Sequence, residues 1–278
     1  MQARFLLGPA GSGKTHRCLA EIRAELLKSP EGPPLLFLAP KQATFQLERQ
    51  LLADESLAGY ARLQILSFER LAEFVLMALS QCLPQLLDEE GRVMVLRALL
   101  AQKQNELKLF RASARLPGFA QHLSLLLREL QRHQHSPAKL LALADKTHSP
   151  PRLGDKLHDL ALLLRAYLDW LKEHQLQDAN CLIDLATEAL RSQSAIANRR
   201  SSMHFGGLWL DGFAEMTPEE LDFLATLAPS CERATLAFCL EDKPGEDLSW
   251  LSTWSLVSRT FRNCHQRLAD AASPPCDA

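Results

Sequence analysis

The sequence predicts an α/β protein in which a parallel sheet is interrupted along the chain by a long all-helical insertion. Three observations carry this. Short, continuous apolar runs alternate with helix-period segments over residues 1–80. Helix-period segments alone fill residues 81–200. Strand-type runs then return beyond residue 200. A continuous apolar run bounded by Pro or Gly is the pattern of a strand covered on both faces, whereas a strand with one wet face alternates.

The elements follow in order. Arg4-Phe5-Leu6-Leu7 is the first strand. Leu19, Ile22 and Leu26 then recur at i, i+3 and i+7 on a helix face. Ser29-Pro30-Glu31-Gly32-Pro33-Pro34 breaks that helix. Leu35-Leu36-Phe37-Leu38-Ala39 is a buried strand, followed by a helix from about Thr44 to Leu52. Leu63-Gln64-Ile65-Leu66 is a third strand, and Ser67 caps a helix running through Phe68, Leu71, Phe74, Val75 and Leu79.

In the insertion, apolar residues recur at helical spacing in 92–100, 119–130, 138–144, 157–171 and 181–190. This predicts about five helices, no convincing strand and no repeat. Ser136-Pro137 is a helix start, and Pro150-Pro151 marks a linker. Strand character returns at Gly207-Leu208-Trp209-Leu210-Asp211. Thr217-Pro218-Glu219-Glu220 is a capping box with proline at the first helical position, and Phe223, Leu224 and Leu227 give that helix its buried face. Ala234-Thr235-Leu236-Ala237-Phe238 is the last clear strand, and the tail from Asp270 reads as disordered or as a cut end. The predicted organisation is one discontinuous domain over 1–80 and 201–270, an insertion over 81–200, and a tail over 271–278. Strands distant in sequence must meet in one sheet, with right-handed crossovers expected.

Composition sets further bounds. The 278 residues are 47% hydrophobic and 23% charged, as in ordinary globular proteins. No apolar run is long enough to cross a bilayer, and the first strand leaves no room for a signal peptide. A cytoplasmic location with no membrane contact is expected. The seven scattered cysteines include no C-x-x-C pair, which favours buried free thiols over a disulfide framework or a zinc site. Net charge is −2. Residues 81–200 carry 17 Lys/Arg against 13 Asp/Glu, and 201–278 carry 5 against 12. The middle excess is a weak argument for nucleic acid, because a solvated helical surface gives the same count.

The chemistry begins at Gly8-Pro9-Ala10-Gly11-Ser12-Gly13-Lys14-Thr15, a full G-x-x-x-x-G-K-[ST] phosphate loop. Glycines let the backbone curl so that several N–H groups point at phosphate oxygens. The following helix adds the positive end of its dipole. Gly8, Ala10, Gly11, Ser12 and Gly13 would cradle ATP, Lys14 would reach the β- and γ-phosphates, and the Thr15 hydroxyl would take a Mg²⁺ position. The motif follows a strand and opens a helix, which is its required setting.

Leu208-Trp209-Leu210-Asp211 is a candidate Walker B strand, with Asp211 holding Mg²⁺ through water. ATP-hydrolysing motors usually place a glutamate next, to orient the attacking water; here that residue is Gly212, and Glu215 is four positions past Asp211. Nucleotide binding without efficient hydrolysis is expected.

Four motifs in order now carry a resemblance: Phe5 to Thr15, Leu38-Ala39-Pro40-Lys41-Gln42-Ala43-Thr44-Phe45-Gln46, Ile65-Leu66-Ser67-Phe68-Glu69-Arg70-Leu71, and Leu210-Asp211-Gly212-Phe213 with Thr217-Pro218-x-Glu220. Together they resemble the N-terminal part of the AddB (RexB-type) subunit of bacterial helicase–nuclease complexes, relatives of superfamily 1 helicases. The resemblance spans residues 4–240. It implies a P-loop NTPase fold of the RecA-like, superfamily 1 helicase 1A type, with 81–200 as a 1B-like subdomain. It places Gln42, Thr44, Phe45, Gln46 and Ser67 near single-stranded DNA. It further implies a degenerate helicase-like component of a complex that processes DNA double-strand breaks, acts on single- and double-stranded DNA, and has an AddA-type partner driving translocation. A second motor-like domain and the family's C-terminal nuclease have no counterpart in these residues, so the chain reads as a fragment to which no nuclease activity is assigned.

Other residues have plainer readings. Phe45 fits a DNA contact or a core position equally. Arg128, Arg132, His133 and His135 are read as a solvated helix end, since cations favour helix C-termini. Trp209, Trp250 and Trp254 are read as core or domain-contact residues. A small-molecule or nucleotide kinase is the alternative function, opposed by the gap of about 200 residues between the loop and the acidic strand. A structural module whose loop has lost its ligand is the third.

Overall fold

In the computed structural model the described residues are 2–54, 57–79, 81, 84–146, 152–178, 181–195, 203–244 and 251–272. The chain divides into two compact units, Met1–Gln81 with Ile183–Ala278, and Cys82–Leu182.

The first unit is built on a parallel sheet. Strand β1 (Gln2–Gly8) leads into helix α1 (Lys14–Lys28), β2 (Leu35–Leu38) into α2 (Thr44–Leu52), and β3 (Leu63–Leu66) into α3 (Phe68–Ala78). The second unit then carries β4 (Leu86–Leu87), α4 (Glu89–Lys103), α5 (Phe119–Arg132), α6 (Pro137–Lys146), α7 (Leu153–Glu173) and β5 (Gln177–Asp178). Helix α8 (Cys181–Ala195) leads back to β6 (Gly207–Leu210), α9 (Pro218–Leu227), β7 (Arg233–Cys239) and α10 (Ser255–Ala272).

The five-stranded sheet has the order β1-β7-β6-β2-β3, and every pairing is parallel. The late strands β6 and β7 therefore sit between the early strands β1 and β2. Strands β2 and β6 are buried at every residue, as their unbroken apolar runs require. One face packs α1 and α2: Cys18, Leu19, Ile22, Leu26, Leu47 and Leu51 meet Leu35, Phe37, Trp209 and Ala237. The other face receives α10, whose Phe261 ring lies 5.4 Å from Phe5 and 5.6 Å from Phe238, both edge-on. Each such aromatic pair adds about 0.5–1.5 kcal/mol beyond its buried area. Strands buried on both sides by helices make a three-layer α/β unit.

Two helix starts follow local chemistry. Ser67 Oγ accepts from Arg70 N at α3. At α9, Thr217 Oγ1 accepts from Glu220 N at 3.2 Å while Glu220 Oε2 accepts from Thr217 N at 2.8 Å, a reciprocal box worth about 1 kcal/mol.

The helical unit has its own core, in which Leu96, Leu100, Leu123, Leu127, Leu140, Leu163, Leu164 and Tyr167 are almost fully buried. Asp159 is completely buried there and accepts from three successive backbone amides, Lys108 at 2.9 Å and Leu109 and Phe110 at 2.8 Å each. Beside it, the short strands β4 and β5 pair in parallel. Arg92, buried under the Tyr167 ring at 4.8 Å, pairs with Asp178 on β5 and donates to Gln131 Oε1 at 2.8 Å.

Four sequence expectations need revision or a boundary. The 81–200 segment contains β4 and β5, although it reads as strand-free; two residues give no alternation to detect. The helical unit closes at Leu182, because α8 belongs with the sheet unit from Ile183 onward. Helical periodicity shows that a face is buried but not which body buries it. The tail expected from Asp270 is helical through Ala272, as the last turn of α10. Pro150-Pro151, Trp250 and 273–278 lie outside the described residues.

Candidate functional site

All five strands of the sheet run parallel, so their carboxyl ends share one edge. Gly8, Asp211, Pro40 and Ser67 follow β1, β6, β2 and β3 at that edge. Open parallel sheets bind ligands there, because each strand delivers a loop and the start of a helix to it.

The Gly8–Thr15 segment curls tightly. Gly11 and Gly13 adopt left-handed φ of 80° and 85°, which side chains other than glycine rarely tolerate. Ser12 N donates to Pro9 O at 3.2 Å and closes the turn. At Gly8 the reason for glycine is space: a Cβ would collide with Ser12 Oγ. Lys14 Nζ donates to Gly8 O at 2.7 Å, Pro9 O at 2.8 Å and Ser12 Oγ at 3.2 Å, so all three of its donors bracket the loop. Gly13 caps α1 without a side chain, and the first-turn amides of α1 have no carbonyl four residues before them to satisfy them. Ala10, Gly11, Ser12 and Gly13 are exposed.

The Thr15 hydroxyl donates to Asp211 Oδ2. Asp211 is 9% exposed, and its other oxygen accepts from Gly212 N at 2.8 Å. One carboxylate thus ties the start of α1 to the end of β6. The residues after it are held by α10: Arg259 pairs with Glu215 at 3.2 Å, and Thr260 Oγ1 donates to Ala214 O at 3.1 Å. Phe213 packs on Phe68 with ring centroids 5.2 Å apart.

Beneath the loop lies a charged network that sequence reading missed. Arg4 on β1 donates to both oxygens of Glu21 on α1, at 2.6 and 2.5 Å, and to Thr235 Oγ1 at 3.0 Å. The Trp209 indole N–H donates to Glu21 at 3.2 Å. Burial opposes ionisation of Glu21, but donation from Arg4, Trp209 and Arg17 outweighs it and holds the carboxyl below its ordinary value. Burial, aided by the carboxylates of Asp211 and Glu21, pushes the neighbouring Cys18 thiol up to about 12. One sequence signal pointed to the Trp209 position: Gly207 is two residues earlier on the same strand face, and a Cβ there would stand 2.6 Å from Trp209 Cη2.

The structure separates the five residues read as DNA contacts. Gln42, Phe45 and Gln46 are exposed, Phe45 at 69%, with the Arg49 guanidinium 6.0 Å from its ring. The core reading of Phe45 is thereby overturned. Thr44 is half-buried, and its Oγ1 donates to Lys41 O at 3.1 Å. Ser67 is buried, with its hydroxyl engaged in capping α3. At the end of α5, Arg128 pairs with Glu89 and Arg132 with Glu129 at 3.7 Å, as a salt-bridged helix surface would.

A family model described as ADDB, N-terminal, matches residues 5–274. The chain belongs to the AddB N-terminal family. Relatives named as the B subunit of an ATP-dependent helicase/deoxyribonuclease agree. One from Heliobacterium modesticaldum is 40% identical over 244 residues, covering 87% of this chain and 19% of that protein. One from Desulforudis audaxviator is 36% identical over 277 residues, covering 98% and 22%. One from Desulforamulus reducens is 32% identical over 281 residues, covering 99% and 24%. This AddB N-terminal chain therefore spans about a fifth of the length of the curated relatives it matches. Among its described residues no helix is long and apolar enough to cross a membrane, and no group of three or more His, Cys, Asp or Glu is placed to hold a metal ion.

Proposed function

We propose that this chain is the nucleotide-binding, helicase-like part of an AddB-type protein that acts with a partner on DNA, on a P-loop NTPase scaffold of the RecA-like type. The observation that carries the reading is the Thr15–Asp211 hydrogen bond beside the curled Gly8–Thr15 backbone. Loop amides and the α1 amino terminus suit polyphosphate oxygens. A hydroxyl and a carboxylate side by side are hard oxygen donors of the kind Mg²⁺ takes, Thr15 directly and Asp211 through water. When bound, Mg²⁺ would neutralise phosphate charge. Lys14 would turn its donors from the loop carbonyls to the phosphates.

Turnover is proposed to be very slow, because no side chain follows Asp211 to orient water and Glu215 is paired with Arg259. The exposed Gln42, Phe45 and Gln46 are the proposed DNA contacts, Phe45 by stacking on a base. The relatives' name makes each of them one component of an assembly, which supports a partner of AddA type here. Their helicase/deoxyribonuclease title supports a role in DNA break processing.

The test is ATP hydrolysis by the purified chain with and without single-stranded DNA, alongside DNA binding by Phe45→Ala. Weak binding that Phe45→Ala reduces, with barely detectable turnover, is expected. A DNA-stimulated rate on the order of tens per second would contradict the reading.

A further inference from the structure

We infer that the groove between α1 and α2 is the nucleoside subsite of the nucleotide proposed above, and that Gln50 reads its base. The inference rests on that proposal for the position of the phosphates. A cavity of about 500 Å³ starts at Gly11, Gly13, Lys14 and Thr15 and continues away from them along α1. Its α1 wall is His16, Leu19 and Arg23, spaced i, i+3 and i+7 on one helix face. His16 to Arg23 spans about 10 Å of helix, room for a ribose and a base in line. The facing wall is Gln50 and Ala53, one turn apart at the end of α2.

The chemistry of this lining is that of a base site. Leu19 is buried and Ala53 is small, giving an apolar floor and an open side. The exposed His16 ring stands nearest the loop, where a sugar or base leaves the phosphates. Arg23 closes the far end and is fixed there: it donates to Leu51 O at 3.3 Å and pairs with Asp54 at 3.3 Å. Gln50 is exposed, and its amide offers one donor and one acceptor side by side. That pair matches the N6–H and N7 edge of adenine, whereas guanine presents two acceptors, O6 and N7. The groove therefore favours an adenine nucleotide and discriminates against guanine through a residue outside the phosphate loop.

Calorimetric titration of the chain with Mg²⁺ complexes of ATP, GTP and inorganic tripolyphosphate tests this. The wild type should bind ATP about tenfold tighter than GTP, the size of one bidentate base contact. Gln50→Ala should remove that preference and leave tripolyphosphate affinity unchanged. Ala53→Trp, which fills the groove from an exposed position, should weaken ATP and spare tripolyphosphate. If ATP and tripolyphosphate bind the wild type equally, or if both variants bind ATP as the wild type does, the groove is not the subsite. A wild type that binds neither ATP nor tripolyphosphate removes the parent proposal instead.

Discussion

Gly212 lies against Pro40: a Cβ at position 212 would stand 3.1 Å from Pro40 Cδ, on a backbone whose φ is 87°. The residue after the metal-side aspartate is thus glycine for two reasons, conformation and contact. Restoring a water-orienting glutamate would need more than a side-chain swap. Gly212→Glu should leave ATP turnover near its basal level and lower stability by about 1–3 kcal/mol, read by steady-state hydrolysis and urea denaturation. A large gain in turnover from this single change would refute the argument.

Asp211 should act through the metal. Asp211→Asn keeps an acceptor for Gly212 N but loses the charge and the acceptor that Thr15 uses. Nucleotide affinity in Mg²⁺ should fall about tenfold or more, while affinity in EDTA should change little. Equal losses in both conditions would mean that Asp211 serves only the fold.

The Glu21 carboxyl gives a pH signature. Its folded value lies below the ordinary 4.5, so the folded protein holds it ionised at acidities where the unfolded chain protonates it. The resulting stability is complete above pH 4.5 and is lost as pH falls through the depressed folded value. Glu21→Gln should lower the melting temperature at neutral pH, and the gap from wild type should close on acidification below that window. Parallel curves at all pH values would show that the carboxylate is not specially held.

Asp159 anchors the helical unit. Asp159→Ala leaves three amides without their acceptor and a buried gap, at a cost of about 2–4 kcal/mol. Urea denaturation followed by circular dichroism measures it. A loss within about 0.5 kcal/mol would mean that water replaces the carboxylate freely.

Much of this was legible in the sequence, for local reasons. All five strands of the sheet read as unbroken apolar runs, because each is covered on both faces. The Thr217 box and the Gly8–Thr15 curl depend on residues within a few positions of one another. Helix α10 had its signal too, in Val257, Phe261, Cys264 and Leu268 at spacings of 4, 3 and 4, but this seam is narrow and interleaved with polar residues that are themselves buried, Ser258 and Thr260. What was not legible is what joins distant segments. Nothing near Glu21 announces Trp209, which is 188 residues away. Nothing near Gly212 announces Pro40. The placement of β7 between β1 and β6 sets these meetings, and strand order is a property of the whole sheet. Ser67 shows the converse: its motif position suggested DNA, whereas its local chemistry, a buried cap, was already in the Ser-Phe-Glu-Arg sequence.

The most direct measurement is calorimetry of Mg²⁺–ATP binding to the wild type and to Lys14→Ala, with melting curves confirming that both are folded. Saturable binding by the wild type, weakened about a hundredfold or more without the lysine, is the predicted result. Matching isotherms for the two proteins, or no heat from the wild type, would contradict the account.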